Sequence, residues 1–260
     1  ATTIRNTFDG IEIAFVPSYG AESFKVEKKI GSGEFAELFT VNAADIEGAQ
    51  YSIVDKDVSA EGVYTYSVQA FSTELNSVRR ELPSITRLSN TTLTDWKNNQ
   101  KGVEISWNAV NNATEYIIYR KSEGSADFAE IATVKALKYV DTTARSGYEY
   151  IYSVAAKNSS GHGDYATNEK TITFLNTPII KSVATINEGI KTDWYQVNGA
   201  TSYNVYRKSA TEDWKKVASN VEGTSFVNLE KDIEHGVEYS YTVEATDGVY
   251  VSAKDSVGKQ

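Results

Sequence analysis

A short stretch of alternating tyrosine, tyrosine, valine and alanine returns three times along the chain. It reads Gly147-Tyr148-Glu149-Tyr150-Ile151-Tyr152-Ser153-Val154-Ala155-Ala156 and Gly236-Val237-Glu238-Tyr239-Ser240-Tyr241-Thr242-Val243-Glu244-Ala245. An earlier copy, Gly62-Val63-Tyr64-Thr65-Tyr66-Ser67-Val68-Gln69-Ala70, is one residue shorter after its glycine. Alternation puts the repeated side chains on one face of a β-strand. A chain that carries this three times is built from three copies of one strand-based unit.

Other markers keep the same register. Gly102-Val103-Glu104-Ile105-Ser106-Trp107 and Gly189-Ile190-Lys191-Thr192-Asp193-Trp194 answer Gly10-Ile11-Glu12-Ile13-Ala14-Phe15. In each copy an alanine (Ala21, Ala113, Ala200) falls six residues after the large aromatic and opens a second strand pattern. Phe35, Phe128 and Trp214 each precede an aliphatic residue by three positions. Asp55 and Asp141 stand nine residues before the first signature tyrosine, and Asn228 takes that place in the third copy. No apolar period of 3.6 residues persists anywhere. Short alternating strands repeating at about 90 residues predict an all-β fold of three serial β-sandwiches with seven strands each.

Proline marks the expected boundaries. Pro83 precedes Ile85 and Leu88, and Pro178 precedes Ile180 and Val183. A proline cannot donate a ladder hydrogen bond, so it suits the start of an edge strand. This divides the chain into 1–81, 82–175 and 176–260. Only 13 residues separate Ala70 from Pro83, against 22 from Ala156 to Pro178, which puts the last strand of the first unit in doubt. No Gly/Ser-rich or Pro-rich linker separates the units. The expectation is a semi-rigid rod, on the order of 100 Å long from strands of ~10 residues.

At these residues the chain resembles the fibronectin type III family in its bacterial extracellular form. In that family the Trp of the Gly-initiated segment fills the core between the sheets. Trp107 and Trp194 match it, and Phe15 substitutes in the divergent first unit. Tyr64, Tyr150 and Tyr239 match the family's tyrosine corner, whose hydroxyl bonds to upstream backbone. The resemblance implies immunoglobulin-like sandwiches in a secreted or cell-surface bacterial protein. The chain begins at Ala1 without a signal peptide, which reads as a mature or excised fragment.

Composition excludes several function classes. The chain has no cysteine, so disulfides, thiol catalysis and zinc–thiolate sites are out. Its net charge is −9, spread as −6, 0 and −3 over the three units. That argues against nucleic acid and anionic membrane as partners. No run approaches the ~18 apolar residues of a membrane helix. The two histidines, His162 and His235, are far apart and read as solvated loop residues. Asp55-Lys56-Asp57 and Glu212-Asp213 lack the loop pattern of a calcium site. No metal and no cofactor are expected, and no catalytic motif is present.

Three aromatics remain as ligand-binding candidates. Trp96 lies in the polar run Asp95-Trp96-Lys97-Asn98-Asn99-Gln100-Lys101, taken as an insertion without counterpart in the other units. Tyr19 and Tyr195 lie in or near the loop that follows the Gly-initiated strand. An aromatic on a polar loop is a platform for a sugar ring or an anchor for a protein. For each, packing over the end of a sandwich or the neighbouring unit is the favoured structural alternative. The sequence therefore points to a non-enzymatic spacer whose partners are the flanking domains of the same polypeptide. The alternative is an adhesin-like module that binds a polysaccharide or surface protein through loop aromatics.

Overall fold

A computed structural model describes residues 2–260, which form three β-sandwiches in series. The first contains β1 (Thr2–Thr7), β2 (Gly10–Phe15), β3 (Ser23–Ile30), β4 (Ala36–Asn42), β5 (Tyr51–Asp55), β6 (Val63–Phe71), β7 (Arg80–Glu81) and β8 (Ile85–Thr86). The second contains β9 (Leu93–Asn99), β10 (Gly102–Trp107), β11 (Glu115–Ser122), β12 (Ala129–Val134), β13 (Lys138–Asp141), β14 (Glu149–Asn158), β15 (Gly161–His162) and β16 (Lys170–Thr173). The third contains β17 (Ile180–Ile186), β18 (Gly189–Trp194), β19 (Ser202–Lys208), β20 (Lys215–Val221), β21 (Ser225–Leu229) and β22 (Ser240–Thr246). Two single 3-10 turns, Ala43–Asp45 and Glu230–Asp232, are the only helical segments among the described residues.

Each sandwich opposes two sheets, one of them three-stranded; the facing sheet is larger in the first two sandwiches and also three-stranded in the third. The small sheets run β1-β2-β5, β9-β10-β13 and β17-β18-β21. The facing sheets run β4-β3-β6 with β7 and β8, β12-β11-β14-β16, and β20-β19-β22. The signature strands β6, β14 and β22 each pair with the strand that follows the alanine marker. Their alternate residues point into the cores, where Tyr66, Tyr152, Tyr241, Val154 and Val243 are fully buried. Phe15, Trp107, Trp194, Tyr64, Tyr150 and Tyr239 are buried with them. Each aromatic buries about 150–250 Å², which lets a small sandwich hold a core without disulfides.

The tyrosine hydroxyls find backbone partners. Tyr64 accepts from the Ser59 N–H at 2.7 Å, Tyr150 from Arg145 at 3.1 Å and Tyr239 from Glu234 at 3.1 Å. The entry glycines of β2, β10 and β18 have a steric reason. Their φ values are +150°, +159° and +145°, and a Cβ on any of them would overlap the carbonyl of Asp55, Asp141 or Asn228.

Pro83 does not open the second sandwich. It stands between β7 and β8, both of which pair with β6 of the first. Leu82 and Ile85 belong to the first core. The ladder runs on to Arg87, whose N–H donates to Gly62 O at 2.9 Å. Phe174 holds the matching place in the second sandwich, donating to Tyr148 O at 3.0 Å. We therefore place the junctions after Arg87 and after Phe174. The short spacing from Ala70 reflects this closing strand, which is present though split around the proline. It is the third sandwich that lacks a continuous closing strand, with only isolated bridges Tyr241–Lys259 and Thr246–Val251.

Candidate functional site

The three aromatics singled out in the sequence do not converge, since each belongs to a different sandwich. Trp96 is not on an insertion. It sits within β9 opposite Ile105, the register of Ile4 opposite Ile13 and of Val183 opposite Thr192. Its half-buried ring packs on the second core, with the Lys170 ammonium 4.2 Å from the ring centroid. The polar run forms a strand because its polar groups satisfy one another at the edge. Asn99 Oδ1 accepts from the Lys101 and Gly102 N–H groups at 2.8 and 3.0 Å, closing the turn into β10. Tyr195 follows β18, is exposed, and has the Lys181 ammonium 4.5 Å over its ring. Tyr19, between β2 and β3, is fully exposed.

The acidic position before the signature strand is a buried hub. Asp141 accepts from Tyr152 Oη at 2.7 Å, Arg120 at 2.6 Å, and the Thr143 hydroxyl and N–H at 2.7 and 2.9 Å. Asp55 accepts from Tyr66 Oη at 2.7 Å and pairs with Lys28 at 2.9 Å. Asn228 accepts from Tyr241 Oη at 3.1 Å and Arg207 at 3.0 Å. In each case the cation also lies over the ring of the corner tyrosine.

Burial pushes the Asp141 carboxyl up, but the bonds from Thr143, Tyr152 and Arg120 outweigh burial and hold it below the ordinary carboxylate value. Burial, reinforced by the bonded aspartate, pushes the Tyr66 and Tyr152 phenols well up. Burial raises Tyr241 to about 12. Each cluster cross-braces three strands through its acidic or amide hub. Among the described residues no three His, Cys, Asp or Glu side chains converge as metal ligands.

The unusual chemistry gathers at the junctions. At the first, the β1–β2 turn of sandwich 1 meets the β14–β16 loop of sandwich 2. The Asn6 N–H donates to Ser160 O at 2.6 Å, and Asn6 bridges Gly161 in parallel, so β1 and β15 join two sandwiches in one sheet. Phe8 stacks on Tyr165 at 4.4 Å, meets His162 at 4.3 Å and turns edge-on to Tyr119 at 5.7 Å. His162 is thus half-buried rather than a solvated loop residue. Arg87, buried, donates to Thr7 O at 2.6 Å, Gly10 O at 2.9 Å and Phe8 O at 3.0 Å, and pairs with Asp164 of sandwich 2 at 2.5 Å. Asn111 donates to Glu61 at 2.9 Å.

The second junction repeats the plan. Asn98 Nδ2 donates to Thr173 O and to Val251 O, both at 2.9 Å. Asn6, in the same register, donates to Thr86 O at 3.0 Å. Tyr250 packs against the second core and donates to Thr171 O at 2.8 Å. Asn198 Nδ2 donates to Ser146 O at 2.6 Å, and the Ser146 hydroxyl returns a bond to Asn198 O at 2.8 Å. Gly147 and Gly199 meet so closely that a Cβ on Gly199 would overlap the Gly147 Cα. Asn111 and Asn198 each lie four residues after the core Trp. That shared spacing is the signal by which the sequence marks the junctions.

No described protein family matches the chain. A stretch of 77 residues, 28% of the chain, is 39% identical to 6% of the amylopullulanase of Thermoanaerobacterium saccharolyticum. A stretch of 68 residues, 26% of the chain, is 34% identical to 5% of the amylopullulanase of Thermoanaerobacter thermohydrosulfuricus. In the Thermoanaerobacterium thermosulfurigenes enzyme the match is 37% over 62 residues, 24% of the chain and 3% of that protein. The chain thus matches only a small part of the length of these relatives. The FN1–FN3 domains of chicken CNTN1 align over 98% of this chain and 95% of theirs, at 15% identity and a TM-score of 0.34. The chain is all-β, and its sequence matches are to short segments of much larger bacterial enzymes.

Proposed function

We propose that the chain is a spacer that sets the distance and orientation of flanking domains in a secreted or cell-surface bacterial protein. The observation that carries this is the repetition of the junctions. Both join the turn after a sandwich's first strand, and the corner before its signature strand, to the next sandwich's loops in one register. Domains on a flexible tether need no such bonding, whereas a fixed spacer does. The partial likeness to amylopullulanases supports a carbohydrate-active enzyme as the flanking domain. Small-angle scattering of the 260-residue chain should give an elongated particle on the order of 100 Å long. A compact globule would overturn the reading.

A binding role is favoured by one observation, the exposure of the Tyr19 and Tyr195 rings. It is tested by affinity electrophoresis through starch, xylan and mucin. Retardation lost in Tyr19→Ala or Tyr195→Ala would make the chain a carbohydrate-binding module, whereas no retardation leaves the spacer.

A further inference from the structure

The first sandwich has a bare pole built from the positions that the other two sandwiches use to hold the one before them. Three backbone features fix the register. The Ser77, Gly163 and Ser252 N–H groups donate to Ala70, Ala156 and Ala245 O at 2.9, 2.8 and 2.8 Å. The bridges Phe71–Asn76 and Thr246–Val251 match the pair Lys157–His162. Gly20, Asn112 and Gly199, each five residues after the core aromatic, all have positive φ, at +80°, +62° and +86°.

In this register Tyr19 holds the place of Asn111 and Asn198, both of which bond to the preceding sandwich. Leu75 holds the place of Gly161, which bridges Asn6, and of Tyr250, which packs on the preceding core. Val78 holds the place of Asp164, the partner of Arg87. Tyr19 is fully exposed, Leu75 is 78% exposed and Val78 is 87% exposed. The loops that carry them adjoin through Glu22, whose N–H donates to Phe71 O at 2.8 Å and whose carboxylate accepts from Thr73 at 2.9 Å.

We infer that this pole is a docking face for a further β-sandwich, which presents the turn after its first strand and the corner before its signature strand. The occupant follows from continuity with the two junctions already in the chain, where this pole meets those two elements and the closing strand beside them. The chemistry differs in one respect. Asparagine gives way to Tyr19 and aspartate to Val78, while Leu75 takes a place where Tyr250 already packs, so the facing turn and corner are apolar where Glu61 and Ser146 are polar. An exposed apolar patch at a repeated contact position is a buried surface in its assembly. The inference rests on the spacer reading and names the partner of its free end.

The absence of cysteine makes the test direct. Residues 88–179, carrying Gln100→Phe and Ser146→Leu so that the turn and the corner are apolar, are fused ahead of Ala1, which puts Ile180 in register with Ala1, and a single thiol is introduced by Leu75→Cys. The labelling rate of that thiol should fall at least tenfold, on the order of the protection that docking gives, relative to the same variant without the extension. Val249→Cys, at the tip of the matching loop of the third sandwich, should label at the same rate in both. An unchanged rate at position 75 overturns the inference. So does protection of the unextended variant that grows with protein concentration, which assigns the face to a second copy, or protection by a soluble polysaccharide, which assigns it to a glycan. Scattering from the unextended chain tests the spacer reading separately, because thiol labelling does not depend on the length of the particle.

Discussion

Replacing Arg87 by methionine tests whether the first junction is held by its guanidinium or only by packing. Methionine keeps most of the aliphatic stem and removes four contacts, three to backbone carbonyls of the β1–β2 turn and one to Asp164. The Arg87 side chain is 4% exposed, whereas that of Asp164 is 39% exposed. The two ends of the pair therefore differ. Asp164 left alone is rehydrated, and a half-exposed pair is worth at most ~1 kcal/mol. The turn carbonyls are not rehydrated so easily, and each costs ~1–3 kcal/mol when orphaned. Allowing partial relaxation, Arg87→Met should cost sandwich 1 about 3 kcal/mol and Asp164→Ala no more than about 1 kcal/mol.

The assay uses the distribution of tryptophan. Trp96 and Trp107 report on sandwich 2, Trp194 and Trp214 on sandwich 3, and sandwich 1 has none. Circular dichroism reads all three. With a urea m-value of ~1 kcal/mol/M for a unit of this size, Arg87→Met should bring on an early dichroism phase roughly 2–3 M lower than in the parent, with the main fluorescence transition later. Asp164→Ala should move that phase by ~1 M or less, and the difference should shrink in high salt. If Arg87→Met and Asp164→Ala shift it equally, or neither moves it by ~0.5 M, the guanidinium does not hold the turn.

The hub in sandwich 2 carries a pH prediction. The folded Asp141 carboxyl lies below its unfolded value of ~3.9, so its stabilisation is complete above that pH and is lost as pH falls through the folded value. Wild type should therefore lose more stability between pH 6 and 3 than Asp141→Asn, as read by fluorescence-detected melting; superimposable pH profiles would refute it. The buried phenols act at the other end. Tyr241 is raised to about 12, so its contribution is intact below ~10 and lost as pH rises through the folded value. Phenolate absorbance from Tyr66, Tyr152 and Tyr241 should appear only as the chain unfolds. Gly102→Ala forces a Cβ into Asp141 O and should cost sandwich 2 about 2 kcal/mol or more, whereas Gly124→Ala, with φ +80° and open space around it, should cost about 1 kcal/mol. Trp194→Phe should cost less than half of the ~3–5 kcal/mol of Trp194→Ala, because Phe15 already serves at that position and Trp194 Nε1 has no acceptor to lose. Urea titration of the fluorescence transition checks both pairs.

Register explains which of these features the sequence displays. The signature tyrosines, the core Trp and the entry glycines are spaced along one strand or one hairpin, so a shared period exposes them. The hub is different in kind. Arg120, Asp141 and Tyr152 lie on three strands, and their contact is a consequence of pairing β11 with β14. A sequence shows Asp141 at a fixed distance from Tyr150 but not the cation that neutralises it. Trp96 misleads for a related reason. Its neighbours Asp95, Lys97 and Asn98 look like loop residues because their polar groups are satisfied at a strand edge and at a junction, and only the register with Ile4 and Val183 shows the strand.

Prolines mislead in the same way. Pro178 follows a junction while Pro83 lies inside the strand that precedes one, and nothing local separates the two. What does separate them is Arg87. A charged residue at the register of Phe174, in a strand that otherwise alternates apolar inward, must either break the strand or be paid for by acceptors from elsewhere. Here the acceptors are three carbonyls of its own sandwich and a carboxylate of the next, so the exception to the core pattern is itself the mark of the junction. The same logic read at the other end gives Tyr19, Leu75 and Val78. Where residues at repeated contact positions stay exposed and carry apolar surface, the natural occupant is a surface that would bury them, and in this chain both surfaces that do so belong to the preceding sandwich.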